Sequence, residues 1–372
     1  MKRLSSVRGW SLLAASVIVL LGACGPRTGV YPFGELDVPE QRVFNGFAFL
    51  RKERLSDAQR EFEQALHLRP KYSPAYRGLG LVYGMKKDFS RAFDLMGRAG
   101  EAAEDSLNRA LVEVGMMSLY RMESGAGWLT KVEKRFDQAL SWSGELPEAY
   151  LELGLAYKKA NRFHDAEGAF TEIVKLNKTL LNEAREELEV LKKIGEADPR
   201  SDLGKEVALV KRITRAECAG LLAKEFPIER VQTGTGLNTR LQLSGLPPDA
   251  RKHRMKEEIL LVLRLDIQGL GVLADGSFGV EQYLTRAGFA TVMADLLVKA
   301  GGTPELKQRY IRSESPFQDV RRNSPHFTSI MICYDWGGIM EGWQGYFHPM
   351  ETISGVDALL VLRRAENRIK EK

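Results

Sequence analysis

A repeat of about 34 residues, built from small and large side chains at fixed positions, is the feature that most constrains how this chain can fold. The repeat positions are Gly46, Gly80, Gly115 and Gly154, then Ala58, Ala92 and Ala166, then Phe62, Met96, Phe136 and Phe170. Small residues let two antiparallel helices approach closely, and large ones fill the space between one hairpin and the next. The pattern therefore predicts a mainly α fold made of stacked helical hairpins.

Four such units can be delimited along the chain, and they span residues 39–72, 73–106, 107–146 and 147–180. The pattern resembles the tetratricopeptide repeat (TPR), including a proline, Pro70, that closes a second helix. The third unit departs from the family, because Ser118 replaces an aromatic residue and residues 124–127 are inserted. The helical run from Leu181 to Ile194 is expected to cap the stack, since solenoid ends need a polar outer face. The resemblance implies a TPR α-solenoid with a capping helix over residues 39–197.

The first helix of each TPR hairpin lines a concave face, so the resemblance also implies a ligand groove. Its apolar residues would be Phe47, Leu50, Leu81, Met85, Met116, Leu119, Tyr120, Leu151 and Leu155, and its basic residues Arg51, Arg77, Arg109 and Lys158. An apolar patch of this size is rarely left exposed, which predicts that an amphipathic helix or an extended apolar segment of a protein partner binds there. The alternative is that a helix of this chain, within 181–194 or 200–260, fills the groove.

The start of the chain has the order of an export signal. Basic residues precede an apolar run from Trp10 to Leu21, which is shorter than the roughly 20 residues that a membrane-spanning helix needs. The run ends in Leu21-Gly22-Ala23-Cys24, which resembles the bacterial lipobox. That resemblance implies removal of residues 1–23 and acylation of Cys24, the alternative being an ordinary signal peptide with a coincidental cysteine.

Acyl chains on Cys24 would hold the protein stably at a membrane surface. Residue 25 is glycine and not aspartate. By the same resemblance, this implies that the protein is sorted to the periplasmic face of the outer membrane in a bacterium with two membranes. Residues 24–38 are rich in proline and glycine, which predicts a flexible tether. The signal contributes three basic residues to a formal net charge of +5, so the charge gives no argument for nucleic-acid binding.

Residues 198–372 carry a second pattern in fragments. The stretch Thr214-Arg215-Ala216-Glu217 recurs as Thr285-Arg286-Ala287-Gly288, and Phe317-Gln318-Asp319-Val320 and Phe347-His348-Pro349 follow. These fragments resemble the S-layer homology (SLH) repeat, which implies a mostly helical domain of three units that holds cell-wall polysaccharide in its grooves. The third unit has Ile353-Ser354-Gly355-Val356-Asp357 where the motif would stand, so its arginine is missing.

The threonines of this motif can cap helices, and Glu217 completes a capping box with Thr214. The resemblance assigns polymer binding to Arg215, Glu217 and Arg286, because a guanidinium fork can meet an acidic group on a sugar. Trp336 and Trp343 can stack on a sugar face. The alternatives are an ion pair inside the domain for the two arginines and an ordinary core position for the two tryptophans.

Neither a catalytic motif nor a metal-ligand spacing occurs in the sequence. The five histidines are scattered, and apart from Cys24 only Cys218 and Cys333 remain. Two cysteines are too few for a disulfide framework or a four-thiolate zinc site, and either one bridge or two unpaired core thiols would fit them. We therefore expect no enzyme activity, no metal and no cofactor.

These patterns together predict a membrane-anchored adaptor lipoprotein of the cell envelope, whose TPR region binds a protein and whose SLH-like region contacts wall polymer. One alternative is an assembly factor of an envelope or exopolysaccharide export complex, with the C-terminal region as a protein interface. A further alternative, from another class, is a cell-wall-acting enzyme with an unrecognised site within residues 228–345.

Overall fold

The computed structural model describes residues 38–231, 241–336 and 338–370. The export signal, Cys24 and most of the tether that the sequence predicts lie outside these residues. The described part contains sixteen α-helices, three isolated β-bridges and no β-strand, which confirms the mainly α prediction. Within the same part, no helix is long and apolar enough to cross a membrane.

The chain divides into two compact units, an N-terminal unit up to Glu189 and a C-terminal unit from Val190 onward. The division falls within helix α9, which runs from Leu181 to Ala197. The boundary that the sequence analysis places between residues 197 and 198 is the end of the same helix.

Eight helices of the N-terminal unit form four consecutive hairpins. They are α1 Pro39–Arg51 with α2 Leu55–Leu68, α3 Ser73–Met85 with α4 Phe89–Glu101, α5 Ser106–Glu123 with α6 Trp128–Trp142, and α7 Pro147–Lys159 with α8 Phe163–Leu176. Pro39, Pro74 and Pro147 lie in the first turns of α1, α3 and α7, where the missing N–H would have no helical partner. Every hairpin begins within one residue of a unit border read from the sequence, so the solenoid-like prediction is confirmed.

The small and large repeat positions pack directly on one another. The ring of Phe62 is fully buried between α1 and α3, against Gly46 and Gly78. A Cβ added to Gly46 would lie 2.5 Å from that ring, and one added to Gly78 would lie 2.3 Å from it. Phe170 stands in the same relation to Gly154, at 2.6 Å. The glycines therefore set how closely each ring-bearing helix can approach its neighbours.

The third hairpin differs from the others in its first helix. Helix α5 has 18 residues, and the insertion continues into a turn whose ends, Ser124 and Gly127, have positive φ values of 55° and 66°. Ser118, which replaces the aromatic residue, is fully buried and donates its hydroxyl to the carbonyl of Val114 at 3.3 Å. The departure from the family pattern is thus accommodated without loss of the hairpin.

Helix α9 is the predicted capping helix. In its N-terminal half Ala184 is buried, whereas Arg185, Glu186 and Glu189 are exposed. This distribution gives the polar outer face that a solenoid cap requires.

The described part of the C-terminal unit contains seven further helices of 4 to 16 residues. Its helices are α10 Asp202–Ala208, α11 Arg215–Glu225, α12 Lys256–Arg264, α13 Arg286–Gly301, α14 Leu306–Arg309, α15 Phe327–Met331 and α16 Gly355–Lys370. The hydroxyls of Thr214, Thr285 and Ser354 each cap a helix, by accepting from an amide three residues later at 3.1–3.2 Å. Glu217 in turn accepts from the amide of Thr214 at 2.7 Å, which confirms the predicted capping box.

The residues before these three caps form a closed hydrogen-bond triangle. The amide of Leu284 donates to the carbonyl of Ile213 at 3.0 Å, that of Ile213 to Ile353 at 3.0 Å, and that of Ile353 to Leu284 at 3.3 Å. All three side chains are buried. Each of the three helices α11, α13 and α16 therefore starts from a common axis with approximate threefold symmetry.

Candidate functional site

The residues predicted to line the solenoid groove lie on the first helices α1, α3, α5 and α7. Phe47, Leu50, Leu81, Leu119 and Leu151 are buried among the residues that pack the helices together. Met85, Met116, Tyr120 and Leu155 are only partly buried. The ring of Tyr120 lies 5.1 Å from that of Phe93 on the second helix α4, with the ammonium of Lys131 on α6 over it. The partly exposed apolar side chains of this first-helix face are therefore Met85, Met116 and Leu155.

The predicted basic residues of this face are placed very differently from one another. Arg77 is buried, with its guanidinium carbon 5.3 Å from the ring centroid of Phe47. Lys158 is paired with the carboxylate of Glu187, and Arg51 is partly buried in the last turn of α1. Arg109 is exposed, and its guanidinium carbon lies 4.9 Å from the ring centroid of Trp142. Among these four cations, Arg109 has the most freedom to meet a ligand.

A buried carboxylate lies on the same set of helices and was missed by the sequence reasoning. Glu148, in the first turn of α7, is 1% exposed, and its Oε1 has no hydrogen-bond partner in the described part of the chain. Burial raises the pKa of this carboxyl group, while hydrogen bonding to its own backbone and the charge of Arg77 oppose the rise. The repeat pattern does not identify this position, because glutamates are common in first helical turns and are usually exposed there.

In the C-terminal unit, the two predicted polymer-binding arginines hold backbone carbonyls of their own unit. Arg215 is buried and donates to the carbonyls of Phe278, Gly269 and Gly271 at 2.6–2.7 Å. Burial lowers the pKa of its guanidinium, and the nearby charge of Asp249 opposes that shift. Arg215 is therefore bound inside its own unit, as in the alternative to polymer binding, but its hydrogen-bond acceptors are carbonyl oxygens where an ion pair was expected.

Arg286 is placed in the same way, with less burial. Its Nε donates to the carbonyl of Phe347 and its Nη2 to that of Glu341, both at 2.8 Å. The guanidinium also lies over the ring of Phe347, with its carbon 4.8 Å from the centroid. Burial lowers the pKa of Arg286, and nearby carboxylates of Asp357, Glu351 and Asp319 oppose that shift.

Two aspartates support the loops that these arginines hold. Asp249 accepts from the amides of Phe278, Gly279 and Val280 at 2.7–3.1 Å. Burial raises the pKa of Asp249, but the three amide donors outweigh this and keep it below the usual value. Asp319 likewise accepts from the amides of Phe347 and His348 at 2.9 and 2.8 Å.

Sequence reasoning recognised Asp319 in its Phe-Gln-Asp-Val motif but missed Asp249. The equivalent stretch reads Leu246-Pro247-Pro248-Asp249-Ala250, and its prolines conceal the likeness. The only signal in the sequence was the position of the aspartate, about 30 residues ahead of a buried phenylalanine in both cases.

The remaining predicted residues are placed as follows. Glu217 is committed to its capping box. Trp336 is partly buried, with the guanidinium carbon of Arg368 5.6 Å from its ring centroid. Trp343 is 69% exposed, the most exposed aromatic side chain in the described residues. Of the predicted polymer-binding residues, Trp343 offers the most open surface.

Trp343 belongs to a tight turn, here called the aromatic hairpin (residues 343–348). The amide of Trp343 donates to the carbonyl of Tyr346 at 2.7 Å, and the reverse bond measures 2.9 Å. Gln344 and Gly345 between them have positive φ values of 51° and 81°, as a two-residue hairpin turn requires. The ring of His348 lies 6.4 Å from that of Trp343 and 5.9 Å from that of Tyr346. Three rings are thus displayed together on a fixed backbone.

Neither cysteine of the C-terminal unit is bonded to the other. Cys218 and Cys333 are free and fully buried, and burial raises the pKa of both thiols, that of Cys218 to about 12. Thiols of this kind are unreactive core residues. The described residues also contain no cluster of side chains suited to hold a metal ion.

Four stacked, TPR-like helical hairpins define the class of this protein, which is mainly α and solenoid-like. No protein-family model matches the chain, and no curated protein matches it. Among solved structures, one described as the functional characterization of Pseudomonas aeruginosa pilF is similar, with 14% sequence identity and a TM-score of 0.23. That likeness covers 44% of this chain and 93% of the other.

Proposed function

We propose that this protein is an adaptor that captures a protein partner on the first-helix face of its solenoid. The observation that carries the proposal is the partly exposed apolar surface of Met85, Met116 and Leu155, which lie on the first helices of three consecutive hairpins. Arg109, which is exposed, lies on α5 together with Met116. An amphipathic helix with an apolar stripe and acidic flanks is the complementary ligand.

The test compares full-length protein with Met116→Glu, because Met116 is partly exposed and a charge there is compatible with folding. Leu81→Glu is unsuitable, since Leu81 is fully buried and its replacement would unfold the hairpin. The matched control is Leu68→Glu, an exposed apolar residue on a second helix. We expect cross-linking in cells to lose a partner in the Met116 variant and to keep it in the control. Equal partner profiles in both variants would contradict the proposal.

The proposed location of the protein is the periplasmic surface of an outer membrane, to which acyl chains on Cys24 would attach it. Support comes from the lipobox resemblance of residues 21–24 and from the proline-rich stretch after it. Labelled palmitate should enter the wild-type protein and not Cys24→Ser, and the Cys24→Ser form should be released from membranes.

The proposed role of the C-terminal unit is contact with cell-wall polymer. Its approximate threefold arrangement and the SLH-like motifs at Thr214 and Thr285 support this role. Arg286, which is partly exposed, is the better candidate for an acidic sugar than buried Arg215. Purified protein should co-sediment with peptidoglycan sacculi, and Arg286→Ala should reduce the bound fraction while thermal unfolding is recorded in parallel.

A second candidate role is a protein interface in an envelope or exopolysaccharide export complex. It is favoured by the commitment of Arg215 and Arg286 to carbonyls of their own unit. Absence of co-sedimentation would select this role. In either case we propose binding and not catalysis, and release of soluble wall fragments in the same tube would overturn that.

A further inference from the structure

The aromatic hairpin has a structural counterpart within the same unit, the loop 273–279. Phe278 and Phe347 are both fully buried, and the carbonyl of each accepts from an arginine at 2.7–2.8 Å. Two residues before each phenylalanine stands a glycine with positive φ, 82° at Gly276 and 81° at Gly345. The two loops therefore share a buried phenylalanine, an arginine contact and a positive-φ glycine in the same order. Their closing backbone bonds differ, because the amide of Leu273 donates to Ser277 at 2.8 Å in one loop and that of Trp343 donates to Tyr346 at 2.7 Å in the other.

The side chains of the two loops differ in a way that the fold does not require. Counted from the buried phenylalanine, the equivalents of Trp343, Tyr346 and His348 are Ala274, Ser277 and Gly279. The unit thus keeps the buried phenylalanine and its arginine contact in a loop that carries small residues at these positions. An exposed tryptophan at such a position contributes nothing to the core, and exposed aromatic clusters mark interaction sites.

A basic side chain lies over every other tryptophan in the described residues. Trp128 has the ammonium of Lys159 at 5.7 Å from its ring centroid, while Trp142 and Trp336 have guanidinium carbons at 4.9 and 5.6 Å. Within the described part of the chain, Trp343 has no cation over its ring. The negative face of the most exposed indole is therefore left open to a charged group from outside.

The charges around the aromatic hairpin favour a cation as well. The carboxylate of Glu351 is 3.3 Å from Nδ1 of His348 and is 68% exposed. The carboxylate of Glu341 is 72% exposed but lies 3.6 Å from the guanidinium of Arg364, so Glu351 is the carboxylate that can meet a cation here. The nearby guanidinium of Arg286 is occupied by Phe347 and two carbonyls. An approaching anion would meet the carboxylate of Glu351 here, whereas a cation would meet both that carboxylate and the ring faces.

We propose that the aromatic hairpin binds an arginine or lysine side chain of a partner polypeptide, which lies over Trp343 with Glu351 as its counter-charge. The chain covers its other tryptophans with side chains of these same two types, which is why a polypeptide is the source we assign. This interaction goes beyond the proposed capture on the first-helix face and beyond contact with wall polymer.

The test uses full-length protein labelled with 5-fluorotryptophan, with the Trp343 fluorine resonance assigned by its loss in Trp343→Ala. The probe is a short acetylated peptide carrying arginine, and its control is the same peptide with citrulline, which has nearly the same shape and no charge. We expect the arginine peptide to shift the Trp343 resonance and the citrulline peptide to bind at least about fivefold more weakly.

Two variants use residues that the equivalent loop already carries, so folding is retained. Tyr346→Ser combined with His348→Gly should weaken binding of the arginine peptide about threefold or more, and Glu351→Gln should also weaken it. Val272→Ala, at an exposed apolar residue beside the equivalent loop, should leave binding unchanged.

Equal binding of the arginine and citrulline peptides would overturn the proposal, because the contact would then be apolar. Absence of any shift with the arginine peptide would also overturn it. A shift with tetramethylammonium or with phosphatidylcholine vesicles, but not with the peptide, would replace the polypeptide by a small ammonium ligand or a lipid headgroup.

Discussion

The carbonyl oxygen of Val207 lies where a side chain at Gly355 would have to begin, because a Cβ built on Gly355 would be 1.7 Å from that oxygen. Gly355 stands at the position of Arg215 and Arg286 in the threefold arrangement, one residue after a capping hydroxyl. The missing arginine of the third repeat therefore reflects a backbone that has moved into its place.

Gly355→Ala should destabilise the C-terminal unit by about 3 kcal/mol, since the opposing atom is backbone and cannot turn aside. The matched control is Gly271→Ala, where an added Cβ would have no neighbour within 4 Å and the cost should stay within about 0.5 kcal/mol. Urea unfolding of the full-length protein measures both. Similar midpoints for the two variants would refute the steric explanation.

In the N-terminal unit, Gly78→Ala should cost about 1–3 kcal/mol, because its new methyl group would meet the buried ring of Phe62 at 2.3 Å. Gly168→Ala, in an exposed helical position with no atom near the added Cβ, should instead stabilise the protein by about 0.5–1 kcal/mol. Opposite shifts in the thermal unfolding midpoint are expected. Shifts of the same sign would argue against ring-to-glycine packing.

Arg215→Lys should destabilise the C-terminal unit by about 2–3 kcal/mol even though the charge is kept. One ammonium group cannot reproduce the fixed fork that reaches the carbonyls of Phe278, Gly269 and Gly271. Arg286→Lys should cost less, because Arg286 binds two carbonyls and is partly exposed. Denaturant titrations compare the two, and a harmless Arg215→Lys would show that the carbonyl contacts matter little.

The C-terminal unit should lose stability in acid through Glu225. Burial raises the pKa of this carboxyl group, but hydrogen bonds from Ser201, the amide of Arg200 and the guanidinium of Arg363 outweigh it and keep the pKa below the usual 4.5. A carboxylate with a depressed folded-state pKa stabilises above its unfolded pKa, and that contribution is lost as the pH falls through the folded value.

Thermal unfolding measured from neutral pH to well below 4.5 should therefore show a falling midpoint. Glu225→Gln should lower the midpoint at neutral pH and reduce its dependence on acid. An unchanged acid slope in that variant would assign the loss to other groups, such as Asp249.

The hairpins of the N-terminal unit could be predicted closely because steric rules fix them. A ring such as Phe62 must meet glycines on two neighbouring helices, and this requirement appears in the sequence as regular spacing. The capping box of Thr214 and Glu217 is equally local, so it too could be predicted.

The contacts of the C-terminal unit could not be predicted in the same way. The acceptors of Arg215 are backbone carbonyls, which every residue type carries, so no sequence pattern identifies them. The exposure of Trp343 and the burial of Leu81 depend on how distant segments pack, and periodicity does not determine that. The likeness of residues 246–250 to 317–320 was concealed because only the aspartate is shared.

The triangle through Ile213, Leu284 and Ile353 makes its three helices inseparable. Each residue donates a backbone hydrogen bond to one of the other two and accepts one from the third. Removing any one of the three segments therefore leaves a buried amide and a buried carbonyl without a partner. Truncated forms of the protein must keep all three helices α11, α13 and α16 with the residues that precede them, or none of them. For the same reason, recombination during evolution could exchange this unit only as an intact block.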